Sequence, residues 1–133
     1  MRLLLASALL LLPACASAQA PLAIHQPPPG INEVLSGPID GANGRTLVMG
    51  DLAMAPGAAI PRHRHAGEEF LYVIGGSAVI SRVGEPDLVL GPGEAIRIAP
   101  GTVHWGRAGD EGMRAIASWV KLDGRPLREA VPE

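Results

Sequence analysis

Short apolar runs recur along the chain, and turn residues cut each of them before a helix could complete itself. From Arg45 onward the runs "RTLVMGDLAM", "AAIPRHRH", "EEFLYVI", "SAVISRV", "LVL", "EAIRIA", "VHWGRA" and "MRAIASWVK" read as strands. The segments between them, "APG", "AG", "GG", "GEPD", "GPG", "PGT" and "GDEG", read as turns. No segment sustains the 3.6-residue period of an amphipathic helix. About eight short strands at near-regular spacing predict an all-β sandwich or barrel over residues 45–122. The stretch 19–44 is rich in Pro and Gly, with a weak strand signal near Asn32–Leu35, and is expected to form an extended arm or edge strand. The polar tail 123–133 is expected at the surface.

Composition sharpens this picture. The 133 residues fit one domain, and 17 Gly with 13 Pro match a β-fold with many turns. The opening "MRLLLASALLLLPACASAQA" has a basic residue, a Leu/Ala run and then small residues, which is the layout of a secretory signal peptide over 1–18. A periplasmic or secreted protein is expected, cut after Ala16-Ser17-Ala18. The alternative is a lipoprotein anchored at Cys15, because "LPAC" resembles a lipid-attachment box. Cys15 is the single cysteine, so cleavage at 18 leaves no thiolate and no disulfide. The net charge of −2 and the lack of a basic block argue against nucleic acid and against an anionic membrane as partners.

Candidate chemistry gathers in "HRHAGEEFLYVIGG", residues 63–76. Side chains alternate faces along a strand, so His63 and His65 point the same way. Two imidazoles on one face suit a divalent metal. Glu69 lies at an even offset from His65, and the Ala66-Gly67 turn can fold it back beside the imidazoles. The even offset favours Glu69 over Glu68, and His104 in "PGTVHWG" is the fourth candidate ligand.

These residues resemble the cupin family. Its first motif is Gly, five residues, His, one residue, His, three or four residues, Glu, six residues, Gly. Gly57, His63, His65, Glu69 and Gly76 match it in spacing. The second motif resembles Gly93, Gly101 and His104, with Ala99 where a Pro belongs and Ala108 where an Asn belongs. The resemblance implies a double-stranded β-helix, or jelly-roll barrel, of the small single-domain type. It implies a centre of three His and one Glu (His63, His65, Glu69, His104) inside the barrel, and an intermotif hairpin at "SAVISRVGEPDLVL". The cofactor it implies is a divalent transition metal: Fe, Mn, Ni, Co, Cu or Zn. It also makes a homodimer a reasonable expectation.

Strand alternation carries the reading to the substrate. With His63 and His65 facing in, Leu71, Val73, Ile96 and Ile98 face in with them; Arg62, Arg64, Arg97, Phe70, Tyr72, Trp105 and Arg107 face out. Trp119 is expected in the core. The inner wall is then apolar and aims no Lys, Arg or Tyr at the metal. That suits a small, largely apolar organic molecule. The expectation is a metal-dependent oxidoreductase of dioxygenase type, with Glu69 also able to serve as a catalytic base. The alternatives are a non-catalytic metal- or ligand-binding module and a metal-dependent isomerase, lyase or hydrolase.

Overall fold

The computed structural model describes residues 23–133. The secretion signal expected at 1–18, its cleavage site and Cys15 lie outside the described residues. Eight strands follow in order: β1 Gly30–Pro38, β2 Arg45–Met54, β3 Ala59–Arg64, β4 Glu69–Arg82, β5 Leu88–Leu90, β6 Ala95–Ile98, β7 His104–Leu122 and β8 Glu129–Ala130. All the pairings are antiparallel.

Two long strands build the barrel. The first part of β4 pairs with β6 and with the second part of β7, which in turn pairs with β2, and β1 closes that layer. The second part of β4 pairs with β5 and with the first part of β7, which pairs with β3, and β8 closes that layer. Each layer is therefore made from halves of the same two strands. Buried Leu52, Leu71, Val73, Ile80, Leu90, Ile98, Met113 and Trp119 fill the space between the layers. This is the cupin jelly roll the motifs implied, and β4 with β5 forms the expected intermotif hairpin, Ala78 opposite Leu90 and Ile80 opposite Leu88.

The sequence pattern splits β4 at "GG" and β7 at "GDEG", but the structure bends them there instead. Gly76 adopts φ +63°, a left-handed conformation that bends the strand without ending it. A Cβ on Gly76 would lie 2.1 Å from the carbonyl oxygen of Gly112. Between Gly76–Met113 and Ala78–Ala108 the register slips, so residues 109–112 of β7 have no partner in β4. The two bends thus sit against each other, at the corner where both strands cross from one layer to the other.

The arm and the tail each contribute a strand. β1 pairs with β2 from Gly30–Ala53 to Pro38–Thr46, and almost all of it is exposed or half-buried on both faces. Weak alternation in its sequence follows from that double exposure. Arg114 ties β1's approach to the barrel: its guanidinium holds Asp51 at 2.6 Å through two nitrogens and donates to the His25 carbonyl at 3.0 Å. In the tail, β8 pairs Ala130 with His63 and Glu129 with Arg64, beside the candidate ligands.

Candidate metal centre

The four residues singled out by the sequence converge. His63 lies near the end of β3 directly opposite His104 at the start of β7, and Glu69 opens β4. His65 follows β3 by one residue. One donor atom from each of His63, His65, Glu69 and His104 lies within 4.8 Å of the others, and all four residues are buried. Glu69 Oε2 is 3.0 Å from His65 Nε2 and 3.1 Å from His104 Nε2. Glu68 turns outward and pairs with Arg97.

The connection between His65 and Glu69 is held from both sides. The His65 carbonyl accepts from Gly101 N at 2.8 Å, and the Glu68 carbonyl accepts from Val120 N at 2.9 Å. Gly67 packs its backbone against β7 so closely that a Cβ would sit 1.8 Å from the Val120 oxygen. The Ala66-Gly67 turn therefore brings Glu69 back beside the imidazoles because glycine alone leaves room for that approach.

Backbone carbonyls orient all three rings. The Nδ1–H of His63 donates to the Pro61 carbonyl at 2.7 Å, that of His65 to Leu127 at 2.5 Å, and that of His104 to Thr102 at 2.9 Å. A carbonyl oxygen only accepts, so Nδ1 carries the proton in each ring and Nε2 faces the cluster. Locking the outer nitrogen this way is how proteins present imidazole to a metal. His65 Nε2 is buried and lacks an aligned hydrogen-bond partner among the described residues. Donor atoms of three imidazoles and a carboxylate crowd together within 4.8 Å. A divalent ion at their centre would satisfy every one of these groups, so the residues fit the implied metal.

The electrostatics agree. Burial, joined by the field of His104, lowers the His63 pKa to about 4. Burial acts to raise Glu69, but the His104 and His65 rings beside its carboxylate outweigh it and hold its carboxyl at about 2. Burial acts against charging His65, but the Glu69 carboxylate and the Leu127 carbonyl raise its pKa above the ordinary imidazole value. A metal at His65 therefore competes with a proton that the Glu69 carboxylate favours. The His65 contribution to stability is complete below the unfolded imidazole pKa and is lost as pH rises through the folded value. The His63 contribution runs the other way, present above about pH 6.5 and lost as pH falls toward about 4. Metal binding below neutral pH is therefore expected to displace protons from the cluster. Calorimetric titration in buffers of different ionisation heat checks this, and a binding heat independent of buffer would contradict it.

A cavity of about 160 Å³ opens above the cluster. Its lining includes Leu52, Met54, Leu71, Ile80, Ile98, Met113, Trp119 and Leu127, with Ile31 from β1. The inward places expected for Leu71 and Ile98 hold. Trp105 differs: it was expected to point away, yet it lines the cavity as well as carrying Arg62 at 4.6 Å from its ring. The β3–β7 register slips between Ile60 and His63, a bulge on β3 that breaks strict alternation there, and Ile60 and Pro61 both line the cavity. The apolar wall also differs from expectation in one charge, because the tail's Arg128 lines the cavity. Trp119 is in the core as expected, but it also reaches the site. It pairs in register with Glu69, its ring centroid is 6.2 Å from that of His65, and its Nε1 is buried without an acceptor. Among the outward arginines, Arg97 pairs with Glu68 and Arg64 with Glu129 at 3.1 Å, so these two are ordinary surface ion pairs.

Fold and site together define a jelly-roll protein with a divalent-metal centre enclosed between its layers. The chain belongs to the cupin family, since the cupin domain matches residues 50–120. It is 34% identical over 89 residues to the D-lyxose ketol-isomerase of Thermofilum sp. (strain ex4484_79), a match covering 47% of this chain and 49% of that protein. The chain thus spans about half the length of this curated relative. Among solved structures it is similar to the DMSP lyase DddQ of Ruegeria pomeroyi DSS-3, with TM-score 0.58 and 27% identity over 64% of this chain and 43% of that one. It is also similar to the oxalate decarboxylase of Bacillus subtilis, with TM-score 0.52 and 26% identity over 56% of this chain and 21% of that one. Mn(II) centres are described in that decarboxylase.

Proposed function

We propose that the chain is an exported, metal-dependent enzyme that oxidises one small, largely apolar organic molecule with dioxygen. The observation that carries this reading is the setting of the donor group, three imidazoles and a carboxylate beneath an apolar cavity of about 160 Å³. A cavity of about 150 Å³ accommodates a molecule near the size of benzene. A small ring or short chain fits such a volume. When bound, a divalent ion supplies Lewis-acid polarisation of a substrate oxygen and, if redox-active, a path for electrons between substrate and dioxygen.

The chain's own residues supply the rest. Leu52, Leu71, Ile98 and Met113 exclude water and lower the local dielectric, which strengthens every polar contact made inside. Glu69 is ionised at neutral pH and is the one carboxylate lining the cavity among the described residues, so it serves as base for an acidic substrate proton. The Trp119 indole N–H is a spare donor for a substrate oxygen.

A second reading is a redox-neutral lyase, decarboxylase or isomerase. It is favoured by the similarity to the DMSP lyase, the oxalate decarboxylase and the D-lyxose ketol-isomerase. Loading the protein with iron, manganese, nickel, cobalt, copper or zinc and assaying small enols, phenols and hydroxy acids separates the two. Oxygen uptake with a redox-active metal, absent with zinc and absent under argon, is the expected result. Turnover that persists with zinc under argon would establish the second reading, and no turnover with any metal would leave a binding module.

Export rests on the signal-like segment 1–18, and a homodimer on the outward stripe of Phe70, Tyr72 and Ile74, exposed by 45%, 46% and 39%. Terminal sequencing of protein recovered outside the cytoplasm and sedimentation of the mature chain check these two points.

A further inference from the structure

We propose that Arg128 anchors a carboxylate at the cavity mouth, so that the molecule admitted is a small, largely apolar monocarboxylate. This inference rests on the reading of the cavity as a metal-dependent substrate site and narrows its substrate class. Arg128 is the one Arg or Lys lining the cavity among the described residues. Its side chain makes no ion pair and no hydrogen bond among them, while its neighbours are all engaged. The adjacent Glu129 carboxylate is taken by Arg64 and Arg125 and is not available to it.

Arg128 is also held in place by its backbone. The Leu127 carbonyl on one side receives the His65 Nδ1–H, and on the other side Glu129 and Ala130 pair with Arg64 and His63. The residue carrying the cation is thus pinned beside His63 in β3 and beside His65 just after it. Its field reaches the site, where it disfavours charge on both His63 and His65. An unpaired guanidinium beside an apolar wall matches a molecule with one anionic head and an apolar body. The planar fork suits a carboxylate, which it can hold through two parallel hydrogen bonds. One exposed cation does not balance a phosphate dianion.

The test compares butyrate with butanamide, equal in heavy atoms and differing in charge. Binding to zinc-loaded protein is measured by calorimetry for the wild type, Arg128→Gln, Arg128→Lys and Arg125→Gln, with bound zinc measured in every sample. The wild type is expected to prefer butyrate by about tenfold or more. Arg128→Gln is expected to lose about 10–100-fold for butyrate while leaving butanamide unchanged, as for a hydrogen-bonded charge removed from a carboxylate. Arg128→Lys should recover part of the loss, and Arg125→Gln should match the wild type. Equal butyrate affinity in wild type and Arg128→Gln, with zinc bound in both, would overturn the role of Arg128 and leave the metal reading intact. Zinc missing from the wild type would overturn the metal reading instead, and the same butyrate comparison in those zinc-free samples would still decide Arg128.

Discussion

Replacing Gly76 with alanine is expected to lower the melting temperature by roughly 8–20 °C. Placing a Cβ in the left-handed region costs about 1–2 kcal/mol, and forcing extra atoms into a packed site costs about 1–3 kcal/mol more. At Gly76 both apply, since φ is +63° and the Cβ would meet the Gly112 oxygen at 2.1 Å. That oxygen belongs to backbone at the corner of β7, so relief requires moving the bend of the second long strand. The sum, about 2–5 kcal/mol, converts at about 4 °C per kcal/mol for a domain of this size. Gly84→Ala is the control. Its φ is +78° but nothing lies within 4 Å of the added Cβ, so only the conformational cost remains. Thermal melts of both variants check the argument, and equal losses in the two would refute the clash at the corner.

The second large effect concerns metal. His104→Ala is expected to reduce bound metal from about one ion per chain to a small fraction of that, with affinity weakened beyond the 10–100-fold typical of losing an outer partner. His104 supplies a donor, sits opposite His63 across the β3–β7 ladder and stands beside Glu69. Its loss also allows the Glu69 carboxyl to rise from about 2 toward its ordinary range, because one of the two rings holding it down is gone. The stability Glu69 contributes is present above its unfolded pKa and is lost as pH falls through its folded one. In the variant that contribution is therefore smaller, and its loss is complete at a higher pH. His25→Ala, at an exposed position in the arm, should leave metal content unchanged. Elemental analysis after dialysis decides the matter, and full occupancy in His104→Ala would remove the proposed centre.

The cluster was legible in sequence because its logic is local. Two histidines share a face by strand parity, a small-residue turn returns Glu69, and His104 stands just after a second turn. The fold was legible for a similar reason, since its core faces alternate cleanly in β4 and in the second part of β7. What stayed hidden depends on contacts distant in sequence. The tail is polar and gives no periodic signal, yet a two-residue pairing brings Leu127 and Arg128 to the site. Trp105 borders the cavity as well as Arg62, and no alternation pattern announces that a large ring can reach both. Trp119 reads as ordinary core, and its approach to His65 depends on Gly50 across the ladder, where a Cβ would lie 2.9 Å from the indole. β1 gave a weak signal because neither of its faces is continuously buried.

Since β4 and β7 each run through both layers, the two halves of the barrel share covalent rails. They cannot part like a clamshell around a guest, because opening one seam would tear ladders in both. The chamber over the imidazoles therefore behaves as a vessel of fixed gauge. Ile31, Trp105 and Arg128 are among the side chains that line it. Such a vessel sorts its guests by length with a sharp cut-off, and adapts little to one that is a single carbon too long.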